Sequence, residues 1–175
     1  SHITNQSGQL FPVRELSLWA RSRGIITIVD GAHAMGHFPY KLRDLEMDYY
    51  GVSLHKWLLA PLGTGLLYVR RDRIASTWPL QAAPATRDTD IRKFEEIGTH
   101  PPGPRAAINE AVAFQQAIGI ERKAARLRYL TMRWANELKK EPRVRLHSSL
   151  EPGQSITCTA TYDVPMVTNP ILGTR

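Results

Sequence analysis

A chain of 175 residues, 42% hydrophobic and 22% charged, has the composition of one ordinary globular domain with enough apolar residues to bury a core, and none of its apolar runs approaches the ~20 residues of a membrane span. Its single cysteine, Cys158, excludes an internal disulfide and fits a reducing compartment, so a cytoplasmic location is expected; no metal site is expected. The net charge of +7 is concentrated, because between Glu121 and Arg145 nine Lys and Arg stand against three Glu, which reads either as a nucleic-acid-binding surface or as a solvated helix face.

In chain order, residues 1–8 read as a strand end and loop, where Asn5 has the ordinary role of capping local backbone groups. Pro12 opens a helix over residues 12–23 with Leu16, Trp19 and Ala20 on one face and Gly24 as its terminator. The apolar run 25–29 between Gly24 and Gly31 reads as a buried strand of a parallel sheet, and Asp30 stands at its carboxyl end, where open α/β sheets hold their ligands. From local sequence alone Asp30 reads equally well as a cap for the next helix. Gly31-Ala32 leaves room for a flat group close to the backbone, His33 adds a titratable imidazole, and His37 reads as a loop or surface residue.

Residues 41–48 read as a short helix or turn leading into a second strand, 49–53, whose end delivers Ser53, His55 and Lys56. Gly63-Thr64-Gly65 suggests a glycine turn into a third strand, 66–69; it is too short for a Walker loop and lacks the following Lys, which discards a nucleotide site. Residues 70–90 read as loop and 101–104 as rigid punctuation. A helix over 105–118 is expected to turn Ile108, Ala111, Val112 and Ile118 inward, and a basic helix over 120–140 to carry the apolar stripe Leu127, Leu130, Trp134 and Leu138. Residues 143–146 and 155–162 read as strands, with Cys158 an inert thiol in the second, and beyond Asp163 the pattern is lost.

Taken together, Asp30-Gly31-Ala32-His33-Ala34 and Ser53-Leu54-His55-Lys56-Trp57, followed by Gly63-Thr64-Gly65, resemble the fold-type I enzymes that use pyridoxal 5′-phosphate (PLP), and within them the class V aminotransferase family and its isopenicillin N epimerase-like branch. The resemblance runs from Ser1 to about Arg145. It implies an α/β fold: part of a PLP-binding large domain with a mainly parallel sheet over residues 1–119, then a connecting helix and the beginning of a small α+β C-terminal domain over 120–175. It also implies that the chain is an internal fragment of a catalytic subunit, inactive by itself.

The resemblance assigns roles residue by residue. Lys56 would form the Schiff base with PLP and move the substrate's Cα proton, Asp30 would pair with the ring nitrogen, and Ala32 would pack beneath the ring. His33, where cysteine desulfurases usually carry Gln, would hydrogen-bond the phenolic oxygen. Asn5 would lie close to the ring, Ser53 and His55 would contact the phosphate, and Thr99 would reach the phosphate of the neighbouring subunit's cofactor in a homodimer. The implied activity is epimerase, aminotransferase or lyase chemistry on an amino acid or its derivative. A cysteine desulfurase-type lyase is an alternative that would need a mobile catalytic Cys, and a non-catalytic basic nucleic-acid-binding module is another.

Overall fold

The computed structural model describes residues 1–148 and 158–161, the stretches 145–148 and 158–161 by their backbone alone. Pro12, with its fixed φ, leads into α1 (Val13–Arg21), and Gly24 at φ +68° turns the chain out of it. The buried stripe of α1 is Val13, Ser17 and Ala20, an i, i+4, i+7 row of small side chains. Leu16 and Trp19, expected inward, are half exposed. Trp19 instead carries the guanidinium of Arg23 on its ring at 4.3 Å.

The site is carried by a three-stranded mixed sheet in the order β1 (Ile28–Asp30), β2 (Tyr49–Ser53), β3 (Gly65–Val69). β1 runs parallel to β2, placing Asp30 beside Gly51, and β3 runs antiparallel, placing Gly65 beside Ser53. Strand β2 shows the period-2 alternation of a half-covered strand, with Tyr50 and Val52 buried and its odd positions intermediate. The run 25–29 forms a shorter and barer strand than its composition suggests: Ile28 is 79% exposed. β1 has β2 on one side only, and no other described strand covers it, whereas an all-apolar strand belongs between two covered faces.

At the base of the sheet, buried Asp48 ties three segments together. It accepts from the Thr27 N–H (2.8 Å) and hydroxyl (3.0 Å), from Arg73 Nε (2.9 Å), and from Arg70 at 2.9 Å. Residues 41–48 do contain a short 3-10 turn, Leu42–Leu45. The following Glu46 pairs with Arg21 at 2.8 Å, fixing α1 to that turn.

The helix expected over 105–118 is two helices. Pro102 starts α2 (Pro102–Ala106), α3 follows as Ile108–Ile118, and Ala107 interrupts them. Only Ala111 and Gln115 of α3 are buried, while Val112 is exposed. Gly119 at φ +83° then redirects the chain into α4 (Ile120–Leu138). On α4 the buried residues are Ala124 and Ala135, so the row facing the body is rotated from the expected one: Leu130 and Trp134 are exposed. Here alanine allows closer packing than the larger side chains of the neighbouring stripe. The core forms two clusters, one around Met47, Tyr50, Val52, Leu54 and Ala111, the other around Ile3, Ala34, Phe38 and Ala124.

A separate antiparallel pair, β4 (Arg145–Ser148) and β5 (Cys158–Thr161), places Cys158 opposite Ser148. The remainder of the strand expected over 155–162, and the irregular end expected beyond Asp163, lie outside the described residues. Among the described residues no helix is long and apolar enough to cross a membrane, and no group of three His, Cys, Asp or Glu side chains is placed to hold a metal.

Candidate active site

The β1 ladder ends in a turn built on backbone contacts: the Gly31 N–H donates to Gly51 O at 2.8 Å, and the His2 N–H to Asp30 O at 2.7 Å. The exposed carboxylate of Asp30 accepts the Ala32 N–H at 2.9 Å. No helix follows Asp30 directly, so the expected helix cap is replaced by a local turn contact that engages one carboxylate oxygen while the side chain stays open to solvent.

At Gly31 the position of the missing side chain is taken by a neighbour from within the fold. A Cβ at Gly31 would overlap the ring of Tyr50 from the adjacent strand. Tyr50 is fully buried, and its hydroxyl is bonded to His2 Nδ1 (2.8 Å) and to the Tyr40 hydroxyl (2.9 Å). Glycine at position 31 thus serves close packing within the sheet. Burial holds His2 down at about 4 and lifts the Tyr40 hydroxyl to about 12, and burial together with Tyr40 raises Tyr50 beyond its ordinary range. All three groups are neutral near pH 7.

Lys56 Nζ lies 3.1 Å from His33 Nε2. An ammonium group has donors only, so the imidazole nitrogen accepts and the ring proton of neutral His33 sits on Nδ1. The pKa of His33 is lowered by burial and by the charge of Lys56, against the opposing pull of Asp30. The end of β1 and the turn after β2 are joined by this contact, across 23 residues of sequence.

His37, expected to be a loop or surface residue, is half buried and part of the same assembly. Its Nδ1 donates to the His33 carbonyl at 3.0 Å, its ring stacks on Trp57 with centroids 3.8 Å apart and planes 6° from parallel, and burial lowers its pKa. His33, His37 and Trp57 form one wall of a cavity of about 230 Å3. Asn5 and the α4 residues Arg128, Thr131 and Trp134 are among the others that line it.

Asp30 and Ser53 share a different concavity, of about 600 Å3, over the sheet face with Ile28, Leu66 and Leu67. His55 Nδ1 is buried with no hydrogen-bond partner among the described residues. Ala32 is buried, and exposed Thr99 follows the 3-10 turn Ile91–Phe94, with no hydrogen bond to any of the other candidate residues. The structure therefore brings together His33 and Lys56, places Asn5 in one concavity with His33 and Asp30 in another with Ser53, and shows no hydrogen bond between Thr99 and any of them.

Two residues absent from the sequence-based set hold the Lys56 turn. Gln115 Nε2 of α3 donates to the carbonyls of Trp57 (2.9 Å) and Leu58 (3.3 Å), and Lys123 Nζ of α4 donates to Trp57 O at 2.6 Å and to Gln115 Oε1 at 3.2 Å. A polar Gln at a core position of an otherwise apolar helix face was a signal for the first. Lys123 had none, sitting in a run of cations.

The family described as Aminotransferase class-V matches residues 1–165. The chain is 37% identical over 147 residues to isopenicillin N epimerase of Streptomyces clavuligerus, covering 75% of this chain and 37% of that protein. It is 30% identical over 156 residues to a probable cysteine desulfurase of Xylella fastidiosa strain 9a5c, covering 83% of this chain and 37% of that one. The chain thus spans little more than a third of the length of these relatives. Among solved structures, the cysteine desulfurase CsdA of Escherichia coli superposes with a TM-score of 0.72 at 22% identity, over 93% of this chain and 42% of that one, and a cysteine desulfurase of Thermococcus onnurineus NA1 with 0.70 at 24%, over 95% and 43%. At those identities the structural likeness speaks for the fold, a partial α/β domain of fold-type I, while the family match extends over nearly the whole sequence. The chain belongs to the aminotransferase class-V family.

Proposed function

We propose that this chain is the lysine-bearing part of a PLP-dependent enzyme that acts on an amino acid or its derivative. The observation that carries the reading is the 3.1 Å contact between Lys56 Nζ and neutral His33 Nε2 at the carboxyl end of the sheet. The donor set fits the cofactor: an amine to link it, an accessible carboxylate at Asp30 for a ring nitrogen, and an orphaned buried nitrogen on His55 suited to a phosphate oxygen. Asn5, Ala32, His33, Ser53, His55 and Lys56 would hold the group, with Thr99 serving the site of a second subunit in a homodimer. Bound there, PLP supplies an electron sink that makes the substrate's Cα proton acidic.

The chain's own residues then divide the work. Lys56 would act as the nucleophile and base, with neutral His33 Nε2 within hydrogen-bond reach to hold its Nζ in place. Asp30, acting as a fixed negative charge, holds a proton on the nitrogen opposite. His37 orients His33 through its carbonyl, and the stacked Trp57 and His37 rings shield one wall from water. Epimerisation, transamination and lyase chemistry share these steps, and the epimerase similarity favours an epimerase-like reaction over the desulfurase alternative. Borohydride reduction of the PLP-loaded full-length protein, followed by peptide mapping, should place a phosphopyridoxyl group on Lys56. An adduct on another lysine, or none, would refute the proposal.

A further inference from the structure

We propose that Gln115 and Lys123 are positioning residues for Lys56, clamping the turn that follows it so that its Nζ meets His33; the inference rests on the role proposed above for Lys56. The chain reverses over residues 56–59, where the Leu59 N–H donates to Lys56 O at 3.1 Å. Leu59 sits at φ +66°. A branched L-residue adopts that left-handed conformation only where its surroundings impose it.

The imposing contacts come from far along the chain. No backbone N–H among the described residues reaches the two mid-turn carbonyls, Trp57 O and Leu58 O. The side chains of Gln115 and Lys123 satisfy both. Gln115 is 8% exposed, and burial lowers the pKa of Lys123, whereas its neighbours Arg122 and Arg126 are exposed. Gly36, at φ +75°, packs against the same turn so closely that a Cβ there would stand 2.9 Å from both Trp57 O and Leu58 N. The His37 ring fixes the indole of Trp57. The turn is thus wedged between the 31–37 segment and the two helices, and its first residue is Lys56. Without the clamp, Leu59 can relax out of the left-handed region and the Lys56 side chain loses its register with His33.

The test uses the full-length protein with Lys123→Met, Gln115→Glu and the conservative Lys123→Arg. Gln115→Glu keeps the side-chain shape but turns an acceptor toward the two carbonyls, so it reports even if Lys123→Met does not fold. Two readouts separate positioning from stability. One is the pH–rate profile of Lys56 modification by trinitrobenzenesulfonate in unliganded protein; the other is the rate of PLP attachment to Lys56, followed by absorbance and borohydride trapping. Lys123→Met and Gln115→Glu are expected to shift the profile and to slow attachment by about tenfold or more, as displacement of a reacting group by about 1 Å does, with Lys123→Arg recovering most of the rate. Unchanged profiles and attachment rates, with only a lowered Tm, would reduce the clamp to a structural contact and overturn the inference. Absence of any Lys56 adduct in the unsubstituted protein would instead remove the proposed function, and this inference with it.

Discussion

Replacing Gly31 by Ala isolates one packing contact beneath the candidate site. Gly31 is not among the glycines with positive φ, so an alanine there incurs no left-handed strain, and the effect reports sterics alone. Its Cβ would overlap the Tyr50 ring, which is fully buried and tethered through its hydroxyl to His2 and Tyr40. Forcing one extra carbon into a filled core costs about 1–3 kcal/mol. Displacing the ring also strands His2 Nδ1 and the Tyr40 hydroxyl, each at ~1–3 kcal/mol, so a total of roughly 3–9 kcal/mol is expected. Urea unfolding of Gly31→Ala, Tyr50→Leu and the double variant measures it. Leucine removes the ring atoms that the new Cβ would meet and already strands the same two partners, so the double variant should be little less stable than Tyr50→Leu, the coupling recovering most of the Gly31→Ala cost. Additivity of the two substitutions, or a Gly31→Ala variant as stable as the parent, would refute the packing argument.

Asp48→Asn should destabilise the protein by about 1.5–3 kcal/mol, because a neutral amide replaces the buried carboxylate that Arg73 and Arg70 face, while Arg70 keeps its pair with Asp72. Burial raises the Asp48 pKa, but the Thr27 and Arg73 hydrogen bonds and the Arg70 charge outweigh it and leave the carboxyl below its usual 3.8. Its contribution is therefore present above pH 3.8 and lost as the pH falls below that, and acid unfolding of Asp48→Asn should lack this component. His2 titrates at 6.5 when unfolded and about 4 when folded, so stability should be full above pH 6.5 and decline by on the order of 3 kcal/mol as the pH falls to about 4; a His2→Gln variant whose profile falls as steeply would exclude His2 as the cause. Asp30→Asn is expected to retain some PLP, seen by absorbance, yet lose most turnover, since an amide cannot hold the ring-nitrogen proton; near-normal turnover would leave Asp30 as a cap for Ala32 only. Cys158→Ala should leave turnover of an amino-acid substrate largely intact, and a folded but inactive variant would move the desulfurase-type reading ahead.

The elements that carry the candidate chemistry were legible because they are locally encoded. Strand β2 runs over the residues expected of it, 49–53, since alternation and β-branched or aromatic side chains determine a strand within a few residues; Ser53 ends it, and the turn beyond carries His55 and Lys56. The breaks at Pro12, Gly24 and Gly119 likewise depend on the φ preferences of single residues. What the sequence could not decide was which face each element turns inward and which side chains meet across the fold. The rows Val13, Ser17, Ala20 and Ala124, Ala135 face the body in place of the larger neighbours expected there, because the approach distance of a helix is set by what it lies against. Gly31 looked like space for a ligand until Tyr50, nineteen residues on, was seen to occupy it. Lys123 looked like one more solvated cation, and its hydrogen bond to Trp57 O spans 66 residues. Periodicity and propensity act over a few neighbours, whereas a carbonyl left unpaired by its own turn is satisfied by whichever distant donor the packing brings within 3 Å, and only the folded chain contains that information.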